Sequence, residues 1–220
     1  MLDSVRDWPR KILVRSRWGS DLYGGWTLVR KGYLESSGWA RSHYEGIAVD
    51  RLGHPQPWWT LSAIDFIEER LSKDMEVFEY GAGGSTLWLC ERVNRVTACE
   101  HDSAWYARIA SKVPDNGRVL VRALGEKRAY VEAIVTTGRL YDVVVVDGRN
   151  RVECAIQAVT ALNDHGVLIW DDAQRAQYSR GFAHLHGQGM RRIDFCGVSP
   201  GALEKSMTSI FYRDTNCLGI

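Results

Sequence analysis

Long apolar runs are missing: no stretch of the 220 residues approaches the roughly 18 consecutive apolar residues that a membrane helix needs. The chain reads as soluble. Proline is scarce, 5 residues against 21 glycines spread without a repeat, which excludes collagen-like and proline-rich disordered classes. Charge of one sign is missing too. The formal net charge of +1 gives no broad electrostatic reason to expect nucleic acid or an anionic membrane as partner, so partner choice must come from a site. The few cysteines, Cys90, Cys99, Cys154, Cys196 and Cys217, are an odd set without a CxxC spacing, which suits a reducing compartment and makes the cytoplasm the expected location. What the chain does have is 45% hydrophobic and 25% charged residues, enough to bury a core, with one main domain expected.

Met1 to Arg17 mixes Asp3, Arg6, Asp7, Arg10, Arg15 and Arg17 with short apolar pieces, so no signal peptide is expected there. Basic residues outnumber acidic ones by seven to three up to Lys31, a mild bias. Six of the nine tryptophans, Trp8, Trp18, Trp26, Trp39, Trp58 and Trp59, precede residue 60 in a segment with no readable period. One reading is an aromatic-lined cap that stacks on a sugar, a base or another planar substrate, with Arg41, His43 and His54 available for hydrogen bonds. The other is packing, since large aromatics bury much area wherever an extension docks. Pro55, Pro57 and Thr60 then mark a boundary before Leu61, Ile64, Ile67 and Leu71, which form a helical stripe. Residues 1–60 are taken as an N-terminal extension or cap and 61–220 as the main domain.

From Met75 onward, short β-rich runs alternate with helical windows, the signature of a parallel sheet covered on both faces. Strands are predicted at Glu76 to Tyr80, Arg95 to Glu100, Arg118 to Arg122, Tyr141 to Val146 and Val167 to Trp170. Ser103 is placed to cap a helix ending before Pro114, Gly138 to stop the next, and Asn163 to Gly166 to form a turn before the fifth strand. After a helix around Arg175 to Gln188, Arg191 to Cys196 and Ser206 to Arg213 form an antiparallel pair joined by a turn with Gly and Pro.

The run Val77-Phe78-Glu79-Tyr80-Gly81-Ala82-Gly83-Gly84-Ser85-Thr86 is a buried strand that breaks into a glycine-rich turn and opens a helix over Thr86 to Val93. Such a turn lets the backbone approach a ligand, and the free amides at a helix start favour polar or anionic groups, so a nucleotide-like ligand fits. Nineteen residues after Gly81, Glu100 ends the second strand, where a carboxylate can accept two hydrogen bonds from ribose hydroxyls. A bare structural turn with a surface acid is the competing reading. It is weakened by the coincidence of turn, Glu79, Glu100 and a further acid, Asp147, at the end of the fourth strand. A dinucleotide fold prefers G-x-G-x-x-G or A, whereas Thr86 stands at the third small position. Glu79 would also repel a diphosphate but attract the ammonium of an amino-acid moiety.

These residues resemble the class I S-adenosylmethionine-dependent methyltransferases, whose first motif is acidic residue, x, Gly, x, Gly and whose second strand ends in an acid. Glu79 to Gly83 and Glu100 match, over a domain from about Leu61 to Arg213. The resemblance implies a Rossmann-like α/β fold: a seven-stranded sheet with helices on both faces, its last strand antiparallel, here with the aromatic-rich extension added. It implies that Gly81 and Gly83 lie against the methionine portion of S-adenosylmethionine, with Ala82, Ser85 and Thr86 in the same turn, that Glu100 holds ribose, and that His101 or Asp102 borders adenine. Leu124-Gly125-Glu126 is an approximate match for the usual polar partner of adenine.

Asp147 closes the fourth strand and Asp171-Asp172 the fifth, at the sheet edge where open α/β sheets bind ligands. Three readings stand side by side. The spacing resembles the catechol O-methyltransferase type, which implies Mg²⁺ on Asp147, Asp171 and Asp172. The pair here is Asp-Asp rather than Asp-Asn, and Asp147-Gly148-Arg149-Asn150 lacks that family's lysine. Without metal, Asp147 or Asp172 accepts the substrate proton while Arg149, Arg151 or Arg175 anchors the acceptor. In the third reading Asp171 or Asp172 only caps a helix. Arg149 and Arg151 can also simply pair with Glu153 or solvent. Cys90, Cys99, Cys154 and Cys196 are expected to be small core residues, and His184 and His186 lack the spaced partners of a zinc site.

The expected function is therefore methyl transfer from S-adenosylmethionine to a hydroxyl of a small-molecule or glycan acceptor. The alternatives are a nicotinamide-dependent Rossmann oxidoreductase and a noncatalytic relative that keeps the nucleoside pocket. No feature assigns an oligomeric state.

Overall fold

The apolar run Val143 to Val146 is continuous rather than alternating, and Val77 to Tyr80 is interrupted only by Glu79, as suits strands covered on both faces; both become the centre of one sheet. The computed structural model describes residues 16–125 and 128–220. Strands β1 (Glu76–Tyr80), β2 (Arg95–Glu100), β3 (Gly117–Val121), β4 (Tyr141–Val146) and β5 (Leu162–Trp170) run parallel, and β6 (Arg191–Gly197) and β7 (Ser206–Tyr212) form a hairpin. The order is β3-β2-β1-β4-β5-β7-β6, with β7 antiparallel to both of its neighbours.

The period of two along each strand divides the core. Val77, Val96, Val143, Val145, Val167 and Ile169 face α4 (Leu61–Glu68) and α5 (Gly84–Cys90). Phe78, Tyr80, Val144, Val146, Leu168 and Trp170 face α7 (Ala129–Thr136), α8 (Arg151–Ala158) and α9 (Ser179–Gly187). Between β2 and β3, α6 (Ser103–Ala110) packs Ile109 on Ala98 and Val119.

Four local expectations shift. The helix after Glu100 is capped by Asp102 rather than Ser103, because the Asp102 carboxylate accepts the N–H groups of Ala104 and Trp105 at 2.8 and 3.0 Å. β3 begins one residue earlier than expected. Asn163 to Gly166 do not form a turn but lie within β5, where the register against β4 shifts between Tyr141 and Val143. Asp164 and His165 can face solvent there because Asn163 Nδ2 donates to Asp142 Oδ1 at 2.7 Å and the His165 carbonyl accepts from the Cys217 N–H at 2.7 Å. Cys196, expected in the core, is exposed on β6.

Before the sheet come α1 (Arg17–Arg30), α2 (Tyr33–Ser36) and α3 (Trp39–Glu45), then an irregular stretch to Thr60, the N-cap position of α4. This segment lies against the β6–β7 turn: Trp39 Nε1 donates to the Ala202 carbonyl and Trp58 Nε1 to the Pro200 carbonyl, both at 2.8 Å. Trp59 is wholly buried, edge to face with Trp88, as packing predicts, whereas Trp18, Trp26 and Trp58 are at least half exposed. Arg41 and His54 are committed locally to Glu45 and Asp50, and His43 to the Gly201 carbonyl. Trp8 lies outside the described residues. No helix among the described residues is long and apolar enough to cross a membrane.

Phe78 is fully buried at the centre of the sheet, so Phe78→Ala is expected to cost about 3–5 kcal/mol in denaturant unfolding. Val135→Ala, on an exposed helical position, should stay within about 0.5 kcal/mol.

Candidate functional site

The strand ladders continue past the carboxyl ends of β1, β2, β4 and β5, which holds the following turns together. The Gly81 N–H donates to the Cys99 carbonyl at 2.8 Å, the Asp147 N–H to Tyr80 at 3.1 Å and the Asp171 N–H to Val146 at 3.2 Å. Gly81 adopts φ +94°, and a Cβ there would come within 3.0 Å of Gly148 Cα, so the turns after β1 and β4 meet backbone to backbone. A Cβ on Gly83, by contrast, would meet nothing within 4 Å. The glycine turn thus has one packed side and one free side. Gly84 opens space for protein rather than ligand: the Gln56 carbonyl of the N-terminal segment lies 2.7 Å from its Cβ position.

Glu79 is fully buried beneath this turn. Ser85 Oγ donates to one of its carboxylate oxygens at 2.5 Å and Thr86 Oγ1 to the other, while Thr86 Oγ1 accepts the Gly83 N–H at 2.9 Å. Ser85 and Thr86 therefore shape the turn through Glu79. Burial pushes the Glu79 carboxyl up to about 7, opposed by these two hydroxyls and reinforced by the charge of Glu100.

Glu100 ends β2 nearly buried, its Oε2 accepting the Ala82 N–H at 3.1 Å and its Oε1 the N–H groups of His101 and Asp102 at 2.7 and 2.8 Å. The Nδ1 of His101 is buried with no well-aligned partner, although it lies 2.7 Å from Glu100 Oε1. Trp105, which the sequence reading passed over, donates its indole N–H to the Ala82 carbonyl at 2.6 Å and so ties α6 to the glycine turn. Glu126 lies outside the described residues.

No protein-family model matches the chain, and the comparison with curated proteins found no matching sequence. Solved structures do match. Precorrin-6y C5,15-methyltransferase from Geobacter metallireducens GS-15 superposes with TM-score 0.52 at 13% identity, covering 70% of this chain and 87% of that one. A methyltransferase-like protein from Silicibacter pomeroyi DSS-3 gives 0.51 at 22% identity, covering 73% and 89%. Precorrin 8W decarboxylase from Methanobacterium thermoautotrophicum gives 0.50 at 16%, covering 69% and 87%. The fold is that of the class I methyltransferases. At these identities the likeness fixes the architecture alone, and one of the three is a decarboxylase.

In this methyltransferase-type fold the cradle fits an S-adenosylmethionine-like group: a free side at Gly83, Glu79 and Glu100 as carboxylates on either side of the turn, and an unmatched ring nitrogen at His101. A divalent ion does not fit the aspartates. Arg151 Nη2 lies 2.9 Å from Asp147 Oδ1, and its Nη1 lies 3.7 Å from Asp171 Oδ2 and 3.5 Å from Asp172 Oδ2. A guanidinium thus stands among the three side chains read as metal ligands. Among the described residues, no group of three or more His, Cys, Asp or Glu side chains is arranged to hold a metal. The guanidinium also donates to the carbonyls of Gly148, Asp147 and Asp171. Burial works against its charge, but Asp147, Asp171 and Asp172 hold its pKa above the ordinary value.

The pairing of Arg151 with Glu153 does not occur, since Glu153 binds Arg180. Helix capping is not the role of the aspartates either: Asp171 accepts from Thr208 Oγ1 at 2.9 Å, and Asp172 pairs with Arg175. Burial raises Asp147, which Arg151 opposes and the charges of Glu79 and Asp172 reinforce. Asp171 is raised in the same way, by burial and by Asp147. Asn150 and Asp172, both non-glycine, have φ of +49° and +56°, so backbone strain gathers at this edge. Arg149 is exposed, its N–H 3.4 Å from the Tyr130 hydroxyl.

Two outcomes follow from the buried charges. Because the folded protein holds the Glu79 proton more tightly than the unfolded chain, its contribution to stability is full below about 4.5 and lost as pH rises through about 7. Glu79→Gln should remove on the order of 2–3 kcal/mol of that decline, read as unfolding free energies at pH 5 and pH 8. Arg151→Met leaves the aspartates without their cation and should cost about 3–5 kcal/mol at pH 7. The loss should shrink at pH 4, where protonation relieves the carboxylates.

Proposed function

We propose that the chain is an S-adenosylmethionine-dependent methyltransferase acting on a hydroxyl of a small polar or glycan acceptor. The observation that carries this reading is the charge around the glycine turn. Glu79, Glu100 and Asp147 gather where the ligand backbone would lie, and Glu79 senses the charge of Glu100 as Asp147 senses that of Glu79. Such a field favours a ligand bearing an ammonium and a sulfonium and disfavours a pyrophosphate. The nicotinamide reading is weaker for that reason and because Thr86 is spent on Glu79 and Gly83.

Gly81 and Gly83 would pass along the methionine portion, Glu100 would accept ribose hydroxyls beside the backbone N–H groups it already holds, and His101 and Asp102 would border the base. When bound, the group supplies a methyl that is already electrophilic, so this chain has to orient the acceptor and remove one proton. Asp147 is suited to take that proton: its pKa is raised, which strengthens it as a base, and Arg151 fixes its orientation. Asp172, held by Arg175, and the exposed Arg149 and Arg175 supply contacts to acceptor hydroxyls on the same edge.

Titration calorimetry tests the reading. S-adenosylhomocysteine should bind and NAD should not; binding of NAD alone would overturn it. Glu100→Gln should weaken S-adenosylhomocysteine about tenfold or more, the loss of a charge-assisted hydrogen bond. Asp147→Asn should leave that binding largely in place while slowing transfer by about 10²–10⁴, as removal of a general base does.

A further inference from the structure

Residues 56–60 bridge the two halves of the candidate site. At one end the Gln56 carbonyl rests against Gly84, at the start of the helix that follows the glycine turn. At the other, the Thr60 N–H donates to Thr208 Oγ1 at 3.0 Å, and that hydroxyl donates to Asp171 Oδ1 at 2.9 Å. The stretch therefore crosses the carboxyl edge of the sheet from β1 to β5 and β7. Gln56, Pro57, Trp59 and Thr60 are buried, and Trp58 between them is 53% exposed.

Its exposure is not looseness. Trp58 Nε1 donates to the Pro200 carbonyl at 2.8 Å, which fixes the indole against the β6–β7 turn and uses up its only polar atom. What the side chain still offers a ligand is an aromatic surface, held at little further entropic cost. The other groups on this edge, Asp172, Arg175 and Ser206, are hydrogen-bonding, with Ser206 Oγ 3.5 Å from Asp172 Oδ1.

Resting on the methyltransferase reading, we propose that Trp58 is the stacking platform of the acceptor subsite and that the acceptor is a pyranose sugar. A pyranose combines a face of C–H groups, which packs on an indole, with a rim of hydroxyls that pair with carboxylates and guanidinium. A flat phenolic acceptor would also stack, but with fewer hydroxyls it would leave more of the remaining hydrogen-bonding positions of Asp172, Arg175 and Ser206 unmet on desolvation.

The test uses the full chain saturated with S-adenosylhomocysteine and a panel of methyl pyranosides of glucose, galactose, mannose, xylose and glucuronic acid, with catechol as the planar comparison. Saturation-transfer NMR is expected to show at least one pyranoside bound through its ring C–H protons. Trp58→Ala should weaken that pyranoside at least tenfold with S-adenosylhomocysteine affinity unchanged within twofold, and Trp58→Phe should restore part of it. Normal S-adenosylhomocysteine binding with no pyranoside bound, undiminished pyranoside binding in Trp58→Ala, or preference for catechol would each overturn the proposal alone. Failure of S-adenosylhomocysteine to bind would instead remove the methyltransferase reading, and the proposal with it.

Discussion

The carboxyl edge of the sheet depends on a single guanidinium. Three aspartates at the ends of β4 and β5 would repel one another in a poorly solvated space, and Arg151 offsets that repulsion while also gathering three backbone carbonyls. Because Arg151 is the first residue of α8, the same side chain ties the helix to both strand ends. A buried ion pair adds little net stability over a well-packed apolar cluster, but it allows only a narrow range of geometries. Here that geometry presents Asp147 and Asp172 at the place where chemistry is proposed.

The glycine turn is arranged on the same principle. Glu79 is covered by the turn that follows it, and Ser85 and Thr86 reach back to hold it, so the loop shape and the buried charge support each other. On the outer side, Glu100 holds Ala82 from β2 and Trp105 holds it from α6. Gly81 and Gly148 meet in the middle. These bonds hold the turn's backbone without any ligand, which would lower the ordering cost of binding one.

Much of this was legible in the sequence because it follows from short-range patterns. The four consecutive valines mark β4, Val77, Phe78 and Tyr80 mark β1, the Glu-x-Gly-x-Gly turn marks the site, and an acid closing a strand can be read from strand length alone. What was not legible depends on contacts across the chain. Arg151 reads as an anchor for the acceptor or a surface cation until β5 places Asp171 and Asp172 beside it. Gly148 looks like any residue after a strand, yet a Cβ there would come within 3.0 Å of Gly81 N. Gly84 reads as one more glycine of the turn, yet its Cβ position faces the carbonyl of Gln56, 28 residues earlier in the chain. The tryptophans could not be sorted because adjacent Trp58 and Trp59 have opposite fates, one exposed and one buried, and only the docking of the segment decides between them.

The antiparallel strand carries a consequence for assembly of the edge. Thr208 is the third residue of β7 and the only hydroxyl linking Thr60 to Asp171 among the bonds described above. Sliding β7 by one position would turn Thr208 to the opposite face and bring Met207 or Ser209 in its place. Correct pairing of the final strand is thus checked chemically at the carboxyl edge of the sheet, so the last strand to be synthesised also fastens Thr60, which precedes the first.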